Sequence, residues 1–285
     1  MTASAPAGPT HAAVRDARRL RRRRARSETG RLLVEGPHAV TAALDRLVRV
    51  FVTDDPSTVV SDAFDRCVAR GVPALTVTER ALDTLADART PQGIVGVATR
   101  PVASLSALER ASLLVVLDRI ADPGNLGTVI RTADAAGADG VVLTAGSVDP
   151  TNAKAVRASA GSFFHLPVID GVGPAQIAGF CRTAGMRLIA AVPDATQRYD
   201  QLSYDTPAAI VFGNEAHGVS DVMRTHARET VSVPMHRATR NGYRGHAESL
   251  NLATSAAVVL FEIARQRDHR GAAGADDRRR GQRTA

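Results

Sequence analysis

The sequence predicts an α/β protein in which a small α/β segment precedes a larger segment built on a parallel β-sheet. In the larger segment, short aliphatic runs alternate with helical stretches. These runs are LLVVLD, DGVVLT, HLPVI, RLIAAV, AAIVFG and TVSVPM. Because they are aliphatic almost throughout and do not alternate with polar residues, they indicate a parallel sheet that is covered on both faces.

The smaller segment shows the same alternation. Between residues 27 and 98, the apolar runs RLLVEG, VRVFVT, ALTVT and GIVGVA flank helical stretches at 37–46, 58–70 and 79–86. Stretches rich in Ala, Pro, Ser and Thr, or in charge, mark the boundaries. The predicted parts are a disordered arm (1–17), a small α/β domain (18–98), a linker (99–112), a parallel-sheet domain (113–267) and a disordered tail (268–285).

Positive charge is concentrated near the N-terminus. Residues 1–31 hold nine arginines against Asp16 and Glu28, so this stretch alone accounts for the net charge of +7 of the whole chain. A local basic patch is typical of a protein that binds a polyanion such as RNA, although a solvated basic tail also explains it. The arginines that we expect to bind RNA here are Arg18, Arg19, Arg21, Arg22, Arg23, Arg24 and Arg26.

Several protein classes are excluded by what the sequence lacks. No apolar run approaches the roughly 18 residues of a membrane span, and no signal peptide is evident, so we expect a cytoplasmic protein. Cys67 and Cys181 are far apart, which predicts two buried free thiols, no disulfide and no metal site. The chain has no Walker A loop, no G-x-S-x-G elbow and no H-E-x-x-H motif. A dinucleotide fingerprint is also absent, because Gln176 stands where its third glycine is required.

Ligands of open parallel sheets bind at the carboxyl ends of the strands, and the first such end precedes a helix. Pro123 and Gly124 are predicted to form a turn, with Asn125 as the N-cap residue of the helix. Gly127 would leave space for an anion at the helix start. Arg131 lies off the apolar face, and either an anion contact or a plain surface position explains it. The apolar face is formed by Leu126, Val129, Ile130 and Ala133.

Two further strand ends carry polar residues. After AAIVFG comes the tight loop NEAHGVSD, in which glycines either approach a ligand or simply permit the turn. After TVSVPM and a long polar loop comes the helix start ESLN. Ser249 or Asn251 is expected to cap that helix, but one cap needs one residue, and the surplus of polar groups favours a ligand there.

Together these stretches resemble the SpoU/TrmH family of RNA 2'-O-ribose methyltransferases, in the SPOUT superfamily. The similar segments are LDRIADPGNLGTVIRTADAAGADGVVL, VFGNEAHGVSD, and VPM with ESLNLATSAAVVLFE. The segment KAVRASAGSFFHLPV, residues 154–168, also matches. The N-terminal LRRRRARSETGRLLVEGPHAVTAAL resembles a substrate-binding domain similar to ribosomal protein L30e. The resemblance extends from about residue 18 to residue 265.

The resemblance implies a parallel sheet with a C-terminal trefoil knot, bound S-adenosylmethionine, a ribosomal RNA substrate and a homodimer. Neither a membrane nor a metal partner is expected, because the sequence lacks an apolar span and the spacing of metal ligands. In such enzymes Arg131 would activate the ribose 2'-hydroxyl, Asn125 and Glu215 would organise the site, and Ser249 and Asn251 would place the substrate. The residues expected to bind the cofactor are Ala190, Ala191, Gly213, Asn214, Gly218, Val233, Met235, Ser249 and Leu250.

One segment departs from the family pattern. Residues 236–247 are a longer basic segment, in which Arg240 and Arg244 are expected to contact RNA; a disordered loop is the alternative. The preferred function is S-adenosylmethionine-dependent 2'-O-methylation of 23S ribosomal RNA. The alternatives are methylation of transfer RNA, a non-catalytic RNA-binding or ribosome-binding module of the same fold, and a nucleotide-linked oxidoreductase.

Overall fold

The structure is a computed structural model that describes residues 5–235 and 247–281, with residues 269–281 as backbone only. Within these residues the chain forms two compact units. The first unit comprises the chain up to residue 102 together with residues 122–131 and 148–168, and the second unit comprises the remainder. The first break, after residue 102, falls within the predicted linker. Two segments of the predicted parallel-sheet domain therefore cluster with the first unit.

The first unit contains a mixed sheet. Its strands are β1 (Arg31–Glu35), β2 (Leu47–Thr53), β3 (Ala74–Val77) and β4 (Ile94–Thr99). Among the described residues the strand order is β1-β4-β2-β3. β4 is antiparallel to both of its neighbours, whereas β3 runs parallel to β2. The four apolar runs of the N-terminal segment are thus confirmed as strands.

The helices of this unit are α1 (Ala12–Arg19), α2 (Arg23–Thr29), α3 (Pro37–Ala42), α4 (Thr58–Ala69), α5 (Glu79–Leu85), the start of α6 (Pro123–Ala135) and α7 (Ala153–Ala158). Three of them, α3 to α5, lie in the predicted stretches 37–46, 58–70 and 79–86, and two others, α1 and α2, precede them. α1 is amphipathic, and its Val14 and Ala17 join Phe51 of β2 and Leu82 of α5 in one apolar cluster. Burial of these side chains explains why the chain before β1 is helical.

The prediction of a disordered arm over residues 1–17 is therefore wrong for the described part of that segment. Val14 is fully buried in α1. Farther upstream, the backbone of Ala7 exchanges hydrogen bonds with β3 and its flank, donating to Thr76 at 2.9 Å and accepting from Thr78 at 3.1 Å. The composition of this segment does not predict its order, because alanines and arginines dominate it and only a few apolar residues anchor it.

Arg26 is a second correction, because it does not belong to the exposed basic patch. Its residue exposure is 7%, and its Nη2 lies 2.6 Å from Oδ2 of Asp149. Its Nε donates to Oγ1 of Thr151, and its Nη1 donates to the carbonyls of Leu20 and Arg21. The guanidinium of Arg26 makes all of these hydrogen bonds inside the first unit, so it is not available to contact RNA. The other patch arginines of α1, α2 and their connection are exposed.

The second unit is built on a larger sheet. Its strands are β5 (Leu113–Leu117), β6 (Gly140–Thr144), β7 (Val168–Val172), β8 (Arg187–Ala191), β9 (Ala208–Phe212) and β10 (Glu229–Val231). Their order among the described residues is β10-β8-β9-β5-β6-β7. The pairs from β10 to β6 are parallel, as the aliphatic runs predict. The last run is shorter than predicted, since β10 ends at Val231.

Helices cover this sheet and complete its core. They are α8 (Pro174–Thr183), α9 (Asp221–His226) and α10 (Leu252–Gly281). Ile177 and Cys181 of α8 and Met223 of α9 pack on Val116 and Val211 of the central strands. α10 buries Val259, Leu260 and Ile263.

α10 continues farther than the sequence indicates. Arg267 donates from Nη2 to the carbonyl of Ser112 at 2.9 Å, which anchors the helix near its predicted end. The backbone stays helical to Gly281, although the composition predicts a disordered tail from residue 268. The trefoil knot stays a prediction, because the connection from β10 to α10 includes residues 236–246, which lie outside the described part.

Replacing Arg26 should destabilise the protein strongly. Arg26→Ala leaves the Asp149 carboxylate, with a side chain only 12% exposed, without its cation, so we expect the free energy of unfolding to fall by about 3 kcal/mol. Denaturant unfolding measures this. Arg24→Ala is the matched control, because Arg24 and its partner Glu28 are both largely exposed, and it should change stability by less than about 1 kcal/mol. Equal losses in the two variants would contradict the assignment.

The same ion pair should make stability depend on acidity. Burial opposes ionisation of Asp149, yet hydrogen bonds from Thr151 and Arg26 hold the pKa of its carboxyl below the ordinary value. The stabilisation is therefore present above the unfolded-state pKa of about 3.9 and lost as the pH falls through the lower folded-state pKa. Asp149→Asn should flatten this part of the profile of unfolding free energy against pH. An unchanged slope would show that other carboxyls dominate acid unfolding.

Candidate active site

A cleft of about 640 Å³ lies at the carboxyl ends of β8 and β9 and the start of α10, within the second unit. Its walls are residues 191–194, 212–219, 224, 249–252 and 255. The cleft brings together six of the predicted cofactor residues: Ala191, Gly213, Asn214, Gly218, Ser249 and Leu250. The predicted catalytic residues Glu215 and Asn251 line it as well. Two of the three strand-end segments singled out in the sequence therefore converge in space.

Three predicted cofactor residues do not line this cleft. Ala190 is fully buried, and its side chain packs in the apolar core of the sheet. Val233 and Met235 are half-buried beyond the end of β10. Val231 of β10 pairs with Ala191 of β8, and the segment from Ala191 to Asp194 lines the cleft whereas Val233 and Met235 do not.

The loop after β9 is closed so tightly that Gly213 has no room for a side chain. A Cβ at this position would lie 2.0 Å from the backbone nitrogen of Val219. The loop is closed by reciprocal backbone hydrogen bonds between Asn214 and Gly218, and Gly218 has a φ of +66°. Both glycines are thus required by the turn itself. The side chain of Asn214 is used internally, because its Oδ1 accepts from the backbone nitrogens of Ala216 and His217.

A buried carboxylate that sequence reasoning missed holds the neighbouring loops. Asp118 follows β5 and is 1% exposed. It accepts hydrogen bonds from Oγ1 of Thr144 at 2.9 Å and from the backbone nitrogen of Ser220 at 2.8 Å. The sequence does contain a signal for this residue, because Asp118 ends the aliphatic run LLVVLD. A carboxylate at the end of a buried strand needs hydrogen-bond partners and so indicates a contact between loops.

The loop after β5 is also tied to the cleft loop. Nδ2 of Asn214 donates to the carbonyl of Arg119 at 2.8 Å, and Oε2 of Glu215 accepts from the backbone nitrogen of Ala121 at 3.3 Å. Glu215 is exposed and lines the cleft. Asn214 and Glu215 therefore fix the position of this loop, and Glu215 can organise the site by that contact.

The start of α10 carries the cap that the sequence predicts. Oδ1 of Asn251 accepts from the backbone nitrogen of Ala253 at 2.8 Å, which confirms Asn251 as the N-cap residue. Ser249 and Asn251 are exposed, and Leu250 is half-buried. The polar surplus at this helix start therefore lies on a wall of the cleft.

The start of α6 differs from the prediction. The helix begins at Pro123, and Oδ1 of Asp122 accepts from the backbone nitrogen of Asn125 at 2.8 Å. Asp122, not Asn125, caps the helix, with Pro123 in the favoured first position. Hydrogen bonds from Lys154 and from the backbone of Asn125 lower the pKa of Asp122. A charged carboxylate thus already occupies the place at this helix start where the sequence suggested an anion.

Gly127 also serves a different purpose from the one predicted. A Cβ at this position would lie 2.2 Å from the carbonyl oxygen of Ala155 and 2.6 Å from Cβ of Ala158. The glycine lets α6 and α7 approach each other within the first unit, so it does not keep a path open for a ligand. The apolar face of α6 is as predicted, because Leu126, Val129 and Ile130 are fully buried. Arg131 lies off that face and is exposed.

Two residues that were predicted to bind RNA, Arg240 and Arg244, lie outside the described residues. Cys67 and Cys181 are buried free thiols, as predicted, and burial raises the pKa of Cys181 to about 11. Within the described residues, no cluster of three or more His, Cys, Asp or Glu side chains could hold a metal ion. None of the described helices combines the length and apolarity of a membrane-spanning segment.

The sequence of this chain is similar to those of known ribosomal RNA methyltransferases. Residues 112–261 match the SpoU rRNA Methylase family, and residues 11–96 match the MRM3-like substrate binding domain. The chain is 31% identical to the 23S rRNA (guanosine(2553)-2'-O)-methyltransferase RlmP of Bacillus subtilis, over 88% of this chain and 95% of that protein. It is 35% identical to a 23S rRNA (uridine(2479)-2'-O)-methyltransferase of Streptomyces viridochromogenes, over 62% of this chain and 61% of that protein.

A solved structure shows the same architecture. The SpoU methyltransferase AviRb from Streptomyces viridochromogenes in complex with the cofactor AdoMet superimposes with a TM-score of 0.78 and 27% sequence identity. The alignment covers 90% of this chain and 98% of that chain. The similarity therefore includes both the sheet of the second unit and the N-terminal α/β part.

Gly213→Ala should disrupt the cleft. The added Cβ meets backbone atoms of Gly218 and Val219, so the loop must open, and we expect binding of S-adenosylmethionine to weaken at least about tenfold. Isothermal calorimetry and thermal unfolding measure this. Gly179→Ala in α8 is the matched control, because its Cβ meets no atom within 4 Å and helix propensity favours alanine. Retained cofactor binding in Gly213→Ala would show that this loop does not form the cofactor site.

Proposed function

Because this chain belongs to the SpoU rRNA methylase family, we propose that it methylates the ribose 2'-hydroxyl of a nucleotide in 23S ribosomal RNA. It is an RNA methyltransferase, and its cofactor is S-adenosylmethionine. The observation that carries the proposal is the match of residues 112–261 to the family, over the segment that contains the cleft. Relatives that modify guanosine and uridine in 23S rRNA support the RNA class but differ in the target base.

The cleft suits the cofactor by size and by chemistry. Its volume of about 640 Å³ lies within the range of roughly 300–1,000 Å³ for small-molecule sites. Leu250, Leu252 and Val192 offer apolar surface for an adenine ring, and the loop from Gly213 to Gly218 offers main-chain groups. The cofactor, when bound, supplies a methyl group on a positively charged sulfur. Recognition mainly by backbone explains why no strong side-chain signature marks the site.

The mouth of the cleft carries an ion pair. Nη2 of Arg224 lies 3.0 Å from Oδ2 of Asp194, and both residues line the cleft. The hydrogen bond from Arg224 lowers the pKa of Asp194, so its carboxylate stays ionised in neutral solution. The charges of Asp194 and Arg224 offset each other, and Glu215 adds a further carboxylate to the cleft wall.

We assign the activation of the 2'-hydroxyl to Arg131, which is exposed on α6. A guanidinium has a pKa above about 12 and does not accept a proton near neutral pH. Arg131 instead anchors the adjoining phosphate and stabilises the developing alkoxide electrostatically, while phosphate or water accepts the proton. Asn125 and Glu215 organise the site, and Ser249 and Asn251 place the substrate.

The basic N-terminal patch supports a large structured RNA as the substrate. Seven of its arginines beyond Arg26 are exposed: Arg15, Arg18, Arg19, Arg21, Arg22, Arg23 and Arg24. Guanidinium groups bind phosphates with paired hydrogen bonds, and such contacts supply most of the sequence-independent affinity for nucleic acid. Residues 11–96, which include the patch, match a substrate-binding domain.

We also propose that the enzyme acts as a homodimer in the cytoplasm. Phe261 of α10 keeps 52% of its surface exposed, which favours a partner surface on this helix. Light scattering of the purified protein tests the oligomeric state. A monomer at micromolar concentration would contradict the dimer.

The decisive experiment is transfer of labelled methyl groups to purified ribosomal RNA and transfer RNA, followed by mass mapping of the product. Methyl on a ribose of 23S rRNA is the expected result. Methyl on a base would overturn the reaction, and methyl on transfer RNA alone would overturn the substrate. No binding of S-adenosylmethionine in calorimetry would favour a non-catalytic RNA-binding module.

Arg131→Lys should lower kcat by roughly a hundredfold, because a lysine keeps the charge but loses the planar fork that binds phosphate. Its affinity for S-adenosylmethionine should stay within about twofold of the unmodified protein, since the ligand contact that it loses is to RNA. Arg182→Lys, an exposed position on α8, is the matched control. Turnover near that of the unmodified enzyme would contradict the role assigned to Arg131.

A further inference from the structure

Arg119 has an unusual backbone conformation. Its φ is +54°, and among the described non-glycine residues only Arg119 and Ala160 have a positive φ. The left-handed region brings Cβ close to the following carbonyl oxygen, so any residue other than glycine loses stability there. Such outliers persist when the surroundings impose them, and they concentrate at functional sites.

Hydrogen bonds explain how this conformation is held. The backbone nitrogen of Arg119 donates to Oγ1 of Thr144 at 2.9 Å, and its carbonyl accepts from Nδ2 of Asn214 at 2.8 Å. Both bonds use main-chain atoms that every residue except proline has. Glycine would therefore make the same contacts without the steric cost, and the contacts do not explain why an arginine stands here.

The nearest acidic group does not explain the arginine either. Nε of Arg119 lies 4.0 Å from Oδ1 of Asp118, at the limit of an ion pair. Asp118 already accepts hydrogen bonds from Thr144 and Ser220. The side chain of Arg119 remains 50% exposed, so its guanidinium is available to a ligand.

The position of Arg119 relates it to the cleft. The residue follows β5, and its carbonyl is bonded to Asn214, which lines the cleft, whereas Arg119 itself is not among the lining residues. The backbone of Arg119 is therefore held next to the proposed cofactor site, and its half-exposed side chain begins there, with Nε near Asp118. The backbone of Arg119 is fixed by hydrogen bonds at its nitrogen and at its carbonyl. Binding of a ligand by the side chain would therefore cost little backbone conformational entropy.

We propose that Arg119 binds a phosphate of the RNA next to the target nucleotide and thereby positions the ribose. This inference rests on the proposed function. A phosphodiester is the ligand that the chemistry selects, because a guanidinium fork matches phosphate oxygens and because RNA is the substrate that must reach the mouth of the cleft. An arginine at this left-handed position makes the folded protein less stable than a glycine would, and we attribute its presence to this contact.

Arg119→Gly tests the proposal, since it removes the cation and relieves the backbone at once. We expect the thermal midpoint to stay the same or rise, while KM for RNA rises about tenfold, as for loss of a charge-assisted hydrogen bond. The plot of log affinity for RNA against log salt should become shallower by roughly 0.7–1, the value for one phosphate contact. The Kd for S-adenosylmethionine should stay within about twofold.

Three further variants separate the causes. Arg110→Ala removes an exposed arginine that precedes β5, at the opposite end of the strand from Arg119. It should leave KM for RNA unchanged. Ala160→Gly relieves the other strained position without removing a charge and should likewise leave RNA binding unchanged. Arg119→Lys keeps the charge and should retain most of the salt dependence.

Two results would overturn the proposal. A fall of several degrees in the thermal midpoint of Arg119→Gly would show that Arg119 serves to pair with Asp118. A weaker Kd for S-adenosylmethionine with unchanged RNA affinity would place the contact on the cofactor. Equilibrium RNA binding is measured alongside turnover, so a failure of the unmodified protein to methylate 23S rRNA would refute the proposed function while the salt dependence still tests Arg119.

Discussion

The buried carboxylate of Asp118 is the contact on which the candidate active site depends. A carboxylate that is 1% exposed must be compensated by hydrogen bonds, and its two oxygens accept from Thr144 at the end of β6 and from Ser220 before α9. Its backbone nitrogen also donates to the carbonyl of Phe212, the last residue of β9. The side chain and backbone of one residue therefore link the carboxyl ends of three adjacent strands, β9, β5 and β6. The loops that follow these strands keep their shape because this point cannot shift without exposing a charge to apolar surroundings.

Beyond Asp118, the loops that line the cleft present mostly main-chain groups. Gly213 and Gly218 close their loop because no other residue fits the contacts or the backbone angle, and Asn214 uses its side chain to hold the neighbouring loop. Side chains thus stabilise the loops, and backbone groups are left to face the cleft. This division of labour explains how a cofactor can be bound without a conspicuous cluster of charged residues.

Much of the fold could be predicted from the sequence, because aliphatic runs report buried strands directly. The parallel sheet, the apolar face of α6 and the cap at Asn251 are observed as predicted. The errors share a cause, which is that local patterns do not reveal tertiary partners. The helix pattern predicts a ligand next to Gly127, but its neighbour is the backbone of α7. The arginine run predicts an exposed Arg26, although Asp149, distant in sequence, holds this side chain inside the unit. Both Asp122 and Asn125 are residue types that cap helices, and the local sequence does not show that the helix begins after Asp122.

The buried Arg26 has a consequence for the basic patch, which we propose to bind RNA. A run of arginines on a flexible tail would search a wide volume and bind any polyanion with little orientation. Here the run is interrupted by a residue locked into the domain, and α1 is packed by Val14 on the same body. The backbone positions that carry the exposed arginines are therefore fixed on one folded unit, although their side chains reach into solvent. If these arginines bind RNA as proposed, phosphates that approach this one surface gain the most contacts, so the shape of the RNA influences how well it binds.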